Sequence, residues 1–144
     1  LGEAVEHSQE LLEKLNLERI HLHTYRYHLT VTESDYQTSK EEIKKAMLYG
    51  EIAAIQSAET GRIPDSEDIR DFDMEDKRIH QLDELEAFEE FTGIEDFSSN
   101  GVAEQEGFKV VAIPTIIHED PVRTVGMGDI ISCSSFGSEF KNKP

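Results

Sequence analysis

The chain has 144 residues, in which 31 acids face 14 bases for a formal net charge of −17, and a single cysteine. So acidic a balance argues against nucleic acid and anionic membranes as partners, because their phosphates repel it. The length suits one domain with one core, no stretch approaches the ~20 apolar residues of a membrane helix, and Cys133 alone forms no intrachain disulfide; a cytoplasmic, reducing compartment is expected. The chain begins at Leu1 rather than Met, as expected of a processed start or a piece of something longer, and Glu3 and Glu6 stand where a secretory leader would be basic.

Residues 3–15 read as a helix, with Ala4, Val5, Ser8, Leu11, Leu12 and Leu15 on one face and Asn16 as its stop. "RIHLHTYRYHLTVT", residues 19–32, is β-branched and aromatic without Gly or Pro and reads as one strand whose alternation is blurred by polar rings. "SKEEIKKAMLYGEIAAIQSA" is a helix opened by a Ser39/Glu42 capping box. Ile43, Met47, Gly50 and Ala54 form its stripe, and the small Gly50, Ala53 and Ala54 suit close packing against a sheet. "ETGRIPDSED" is a loop. A further helix is expected through "KRIHQLDELEAFEEF", where Ile79, Leu82, Leu85 and Phe88 recur opposite a solvated acidic face.

"TGIEDFSSNG" reads as loop, "FKVVAIPTII" as a buried strand broken at Pro114, and "HEDPVR" as an acidic turn. "DIISCSSFGSEF" reads as a last helix. Helices alternating with strands imply α/β layers around a parallel sheet, yet only two or three strands are legible, too few for a whole sheet.

"TVGMGDIIS", residues 124–132, holds the chemistry. If a helix begins near Gly128, glycines at 126 and 128 let the backbone bend, and the N–H groups of Gly126, Met127, Gly128 and Asp129 can converge on an anion at the helix N-terminus. Such donors stabilise a phosphoryl group in transfer, and a neighbouring carboxylate can take the proton from an attacking hydroxyl. Asp129 stands where that base is needed. The alternative is a tight turn with Asp near a helix cap.

"VVAIPTIIHEDPVRTVGMGDIISCSSFGSEF" resembles the C-terminal end of the archaeal ADP-dependent sugar kinases, glucokinase and phosphofructokinase, of the ribokinase-like superfamily. The likeness rests on the spacing from Ile113-Pro114-Thr115 through the acidic turn to Thr124-Val125-Gly126-x-Gly128-Asp129 and Ile131-Ser132. "RIHLHTYRYHLTVT" and the alanine-rich helix around Ile52–Ile55 extend it over most of the chain. The resemblance implies the C-terminal part of a ribokinase-like (Rossmann-like) three-layer α/β sandwich with an incomplete sheet. Residues 1–144 would then be a segment of the large nucleotide-binding domain, with the lid domain and the N-terminal half outside it.

It further implies Asp129 as catalytic base and Gly126, Met127 and Gly128 as the anion hole for the β-phosphoryl group of ADP. His23, Tyr27 and His28, with Ile113, Pro114 and Val125, would line the nucleotide pocket. Mg²⁺ is implied as cofactor, ADP and AMP with a sugar or sugar phosphate as ligands, and the upstream part of the same enzyme as partner. The family's Asn-x-x-Glu metal motif is matched by neither "NLER" nor "NGVAE". Ile130 stands where the family has Thr, which bears on that side chain but not on the amides.

Other readings stay open. His21 and His23 share a strand face at a zinc-ligand spacing, but with His28 on the opposite face and no Cys nearby a closed zinc site lacks ligands. Ordinary sheet packing is the alternative for these rings. Cys133 reads as a small packing residue rather than a reactive thiol. Glu119 and Asp120 read as turn residues, and Arg123 either approaches a phosphate or offsets them. Beside the kinase stand a non-catalytic nucleotide-binding regulatory or vestigial domain, and an ATP-dependent ribokinase relative.

Overall fold

The computed structural model describes residues 1–65, 69, 83–116, 120–122 and 124–140. Helix α1 runs Gly2–Leu15 and stops at Asn16, whose left-handed φ of 52° turns its N–H onto Leu12 O. Strands β1 (Arg19–His23) and β2 (Tyr27–Glu33) follow, then α2 (Lys40–Thr60), α3 (Asp83–Thr92), the short α4 (Phe97–Asn100), β3 (Val102–Gln105), β4 (Phe108–Pro114) and α5 (Met127–Phe140). The Ser39/Glu42 capping box forms as expected, and Gly61 closes α2 at a φ of 71°. The first part of the helix expected over 77–91, with Ile79 and Leu82, lies outside the described residues, as do Glu119 and Arg123.

The sheet corrects the expectation of parallel strands. Its order is β1-β2-β4-β3 and every pair is antiparallel. Two tight turns enforce two of these pairings, β1–β2 and β3–β4, since parallel strands need a long crossover. Glu106 and Gly107, both at positive φ, join β3 to β4, as a two-residue hairpin requires. The other turn, at Thr24–Arg26, splits the stretch read as one strand. It contains no Gly, Pro, Asn or Asp. Instead Thr24 Oγ1 accepts from the N–H groups of Arg26 and Tyr27 at 3.1 and 3.0 Å and donates to Tyr27 O at 2.8 Å. The hydroxyl does the work that glycine chemistry usually signals.

Both faces of the sheet are covered, which gives three layers. Leu29, Val31, Val110 and Ala112 face Val5 and Leu12 of α1, Leu85 and Phe88 of α3 and Phe97 of α4. On the reverse face Val111 and Ile113 pack against Ile43 and Met47 of α2. Two covered faces explain why β4 reads as an unbroken apolar run. Leu11 and Leu15, expected on the buried face of α1, are exposed.

Helices α2 and α5 pack together over the second face, and here the reading of the small residues changes. A Cβ on Gly50 would strike Ser135 Oγ and lie 2.6 Å from Ile131 O, so Gly50 serves a helix–helix crossing rather than contact with the sheet. The far end of α5 is fixed by Glu139, buried 3.2 Å from Arg19 Nη2 on β1. Burial and then that carboxylate push the nearby Tyr36 phenol up to about 12. Cys133 is exposed, so it is not the packing residue expected. Gly50→Val should lower the urea midpoint of the chain by the equivalent of about 1–3 kcal/mol, the usual cost of overpacking; an unchanged midpoint contradicts the crossing described.

Candidate active site

The glycine motif starts α5. Gly126 has a φ of 81°, a conformation that suits glycine, and its carbonyl accepts the first helical bond from Ile130 N–H at 3.0 Å. The N–H groups of Met127, Gly128 and Asp129 therefore precede the first intrahelical bond, and the helix itself gives them no acceptor. Asp129 stands in that first turn with its side chain exposed. The helix begins two residues before the stretch read as helical, which brings the whole motif into its N-terminal turn.

Against this turn lies a face of histidines. Because the hairpin pairs His23 with His28 and His21 with Thr30, all three rings share one face of the sheet. The placing of His28 on the opposite face is thereby corrected: it followed from running one continuous strand through residues 19–32. The His21–His23 and His23–His28 ring centroids are 6.2 and 6.4 Å apart. A Cβ on Gly128 would lie 2.6 Å from His23 Nε2, so the missing side chain admits the ring. Ser132 Oγ sits 3.4 Å from His23 Nδ1.

Glu51 of α2 anchors the floor. Its Oε1 accepts from Ile116 N–H at 2.7 Å and its Oε2 lies 2.5 Å from His28 Nε2, with both side chains at most 3% exposed. A carboxylate so buried is tolerated only when paired and hydrogen-bonded. Thr115, next to Ile116, donates its hydroxyl to Thr24 O and its N–H to Arg26 O, both at 3.1 Å. Helix α2, the end of β4 and the β1–β2 turn are thus tied together.

They enclose a cleft of about 750 Å³. Its walls are Thr24 and Tyr25 from the turn, Glu51, Ala54, Ile55 and Ala58 from α2, Thr115 and Ile116 after β4, and Met127, Gly128 and Ile131 from α5, with His23, His28, Pro121 and Thr124. A mostly apolar cleft with a few converging polar groups suits a small ligand with a flat apolar part and a polar tail.

Of the residues singled out from the sequence, His23, His28, Met127 and Gly128 line this cleft, and Gly126 and Asp129 flank it in the same turn. Four do not join them, among them Pro114, which ends β4 and is not part of the cleft lining. Tyr27 lies on the opposite sheet face against the first core, Ile113 is buried beneath Ile43 and Met47, and Val125 is 77% exposed outside the cleft. Glu51, Thr24, Tyr25 and Thr115 were missed. Glu51 had a signal: it falls four residues after Met47 and four before Ile55, an acid inside an apolar stripe.

Among the described residues no three His, Cys, Asp or Glu groups converge to hold a metal ion, and the carboxylate that lines the cleft is engaged by His28 and Ile116. Nor, among the described residues, is any helix long and apolar enough to cross a membrane.

The fold is a three-layer α/β arrangement whose cleft ends on the glycine-rich first turn of α5. Residues 1–138 match the ADP-specific phosphofructokinase/glucokinase conserved region, and the chain belongs to that family. It is 36% identical over 131 residues to an ADP-dependent glucose/glucosamine kinase of Pyrococcus furiosus, covering 91% of this chain and 27% of that protein. It is 30% identical over 138 residues to an ADP-specific phosphofructokinase of Thermococcus litoralis, covering 96% of this chain and 28% of the relative. A solved ADP-dependent kinase in complex with fructose 6-phosphate and ADPβS superposes with a TM-score of 0.83 at 34% identity, over 95% of this chain and 31% of that one. The chain thus spans under a third of the length of these relatives.

His21 carries a testable consequence. Its Nδ1 lies 2.8 Å from Thr30 Oγ1, whose own proton goes to Met47 Sδ at 3.2 Å. Burial first, and then the charges of Arg19, His28 and His23, lower its pKa from 6.5 to about 3. Between those values the unfolded chain binds a proton that the folded one refuses, so this residue's contribution to stability is full above about 6.5 and declines as pH falls towards about 3. In an NMR titration the His21 ring signals should stay at their neutral positions from about pH 7.5 to about pH 4.5; a midpoint near 6.5 contradicts the burial described.

Proposed function

We propose that this chain is the nucleotide-binding part of an ADP-dependent sugar kinase. The enzyme would transfer the β-phosphoryl group of ADP to a hydroxyl of fructose 6-phosphate or glucose, releasing AMP and a sugar phosphate, a glycolytic reaction. One observation carries the reading: the cleft ends on the first turn of α5, where the amides of Met127, Gly128 and Asp129 and the Asp129 carboxylate come together, in a chain of this family. The sugar site and further groups of the reaction would come from sequence outside these residues.

In this mechanism the ADP base enters the apolar part of the cleft and the phosphates reach α5. The three amides and the helix dipole receive the oxygens of the transferring group, where negative charge concentrates. Asp129 accepts the proton of the attacking sugar hydroxyl as the oxygen–phosphorus bond forms. Its exposure leaves it open to an acceptor approaching from outside the chain. Mg²⁺ belongs to the proposal as the ion that accompanies ADP.

The second reading, a nucleotide-binding domain without chemistry, draws on Ile130 in the place of a family Thr. Both are tested in the kinase that contains this chain, by following AMP release from ADP with fructose 6-phosphate and with glucose. One sugar should support turnover, and Asp129→Asn should cut kcat by about 10²–10⁴-fold, the usual span for a general base, with ADP binding nearly unchanged. Near-full turnover in that variant removes Asp129 as base. ADP binding without AMP from either sugar favours the non-catalytic domain.

A further inference from the structure

Glu51 is the buried carboxylate among the described lining residues of the cleft, and the mechanism proposed makes no use of it. We infer that Glu51 is a positioning residue for phosphoryl transfer. Its side chain fixes where the connection from β4 to α5 leaves the sheet, and so where the amides of Met127, Gly128 and Asp129 stand. The inference rests on the kinase reading.

The connection is fastened to α2 at two points. At its start Ile116 N–H donates to Glu51 Oε1 at 2.7 Å. Nearer the motif Val122 N–H donates to Ala58 O, also at 2.7 Å. Seven residues make two helical turns, so Glu51 and Ala58 share one face of α2 about 10 Å apart along its axis. Both line the cleft. The same helix seats α5, through the Gly50 crossing beside Ile131 and Ser135. Residues 50–58 of α2 therefore hold both the segment that delivers the glycine motif and the helix that follows it. Ala58 offers a main-chain carbonyl near the helix end, which a residue of any type would supply. The bond at Ile116 depends on one side chain.

Packing alone does not require a carboxylate here. The neighbours of Glu51 one turn away, Met47, Ala54 and Ile55, are buried and apolar. Taking a charge out of water is costly, and apolar side chains of similar volume commonly serve stability as well as a buried ion pair does. What an apolar side chain lacks is the acceptor for Ile116 N–H, and a buried N–H left unpaired moves to find another. The second carboxylate oxygen sets the rotamer of the first: Oε2 lies 2.5 Å from His28 Nε2, with Thr115 Oγ1 3.4 Å from the same nitrogen. Donors to a transferring phosphoryl group act only when already aimed, and a misplacement of about 1 Å costs roughly 100-fold in rate.

The test follows AMP release by the full kinase, with kcat and KM for ADP measured for the wild type, Glu51→Gln and Glu51→Asp. Turnover is referred to the fraction of each variant that binds ADP, so partial unfolding does not count as slow chemistry. Gln keeps the reach and an oxygen for Ile116 N–H, and its amide can donate to His28 Nε2; both constants should stay within about threefold of the wild type. Asp keeps the charge but is one methylene short. It should lower kcat by roughly 10- to 100-fold and leave KM for ADP within about threefold, the pattern of an interaction that matters in the transition state. Wild-type kcat in Glu51→Asp makes Glu51 a folding residue and overturns the inference. A slow Glu51→Gln also overturns it, because charge rather than reach is then what counts, and so does a raised KM with kcat unchanged. Should Glu51→Asp not fold, Val122→Pro takes its place, removing the second N–H from an exposed position: a slow enzyme supports the inference and wild-type kcat overturns it. A wild-type kinase that makes AMP while an overturning result holds leaves the kinase reading standing; a wild type that makes no AMP from either sugar removes both.

Discussion

The buried Glu51 carboxylate is the constraint on which the candidate site depends. It sits in the middle of α2, in the stripe that packs on α5 and the sheet, where an unpaired charge would be prohibitive. It is stable there because Ile116 N–H and His28 Nε2 both turn towards it. That requirement fixes the backbone where β4 ends, orients His28 on β2, and through Thr115 holds the β1–β2 turn. Three cleft walls are set by one side chain. The fourth, α5, is set by the Gly50 crossing and the Arg19–Glu139 pair.

In the proposed kinase such an anchored cleft would have a chemical purpose. Amides at a helix N-terminus stabilise a phosphoryl group in transfer only if they already point at its oxygens, because any reorganisation is charged to the barrier. The charge of the whole chain runs against an anionic ligand, but at physiological salt its reach is about 8 Å, so nearby donors decide binding. In the proposed complex the apolar walls of Ala54, Ile55 and Ile116 would receive the rest of the ligand.

Much of the fold was written in local patterns. The Ser39/Glu42 box, the Asn16 stop, the β4 apolar run and the glycine motif each declare themselves by short-range chemistry, and each appears where expected. Strand direction was not legible, because the turn that reverses β1 into β2 uses a threonine hydroxyl in place of a glycine or proline. That omission carried through to the site: with one continuous strand, His28 falls on the wrong face and Tyr27 on the right one. The hairpin exchanges them. Strand β3 is short and half polar, and only the positive φ of Glu106 and Gly107 reveals its hairpin. Glu51 was not singled out: its place inside an apolar stripe is legible, but periodicity alone does not say which partners a buried carboxylate will find. The motif named by the resemblance borders the cleft through Met127 and Gly128, whereas Ile113, Pro114 and Val125, taken along with it, do not line the cleft.

The central claim is that the first turn of α5 cradles a phosphate. Amide NMR of the kinase carrying this chain, with Met127, Gly128 and Asp129 selectively labelled, tests it most directly during titration with ADP and with adenosine. The account predicts that ADP shifts these three N–H signals strongly downfield and slows their exchange, while adenosine leaves them nearly unmoved. ADP bound at saturation with all three signals unchanged would contradict it.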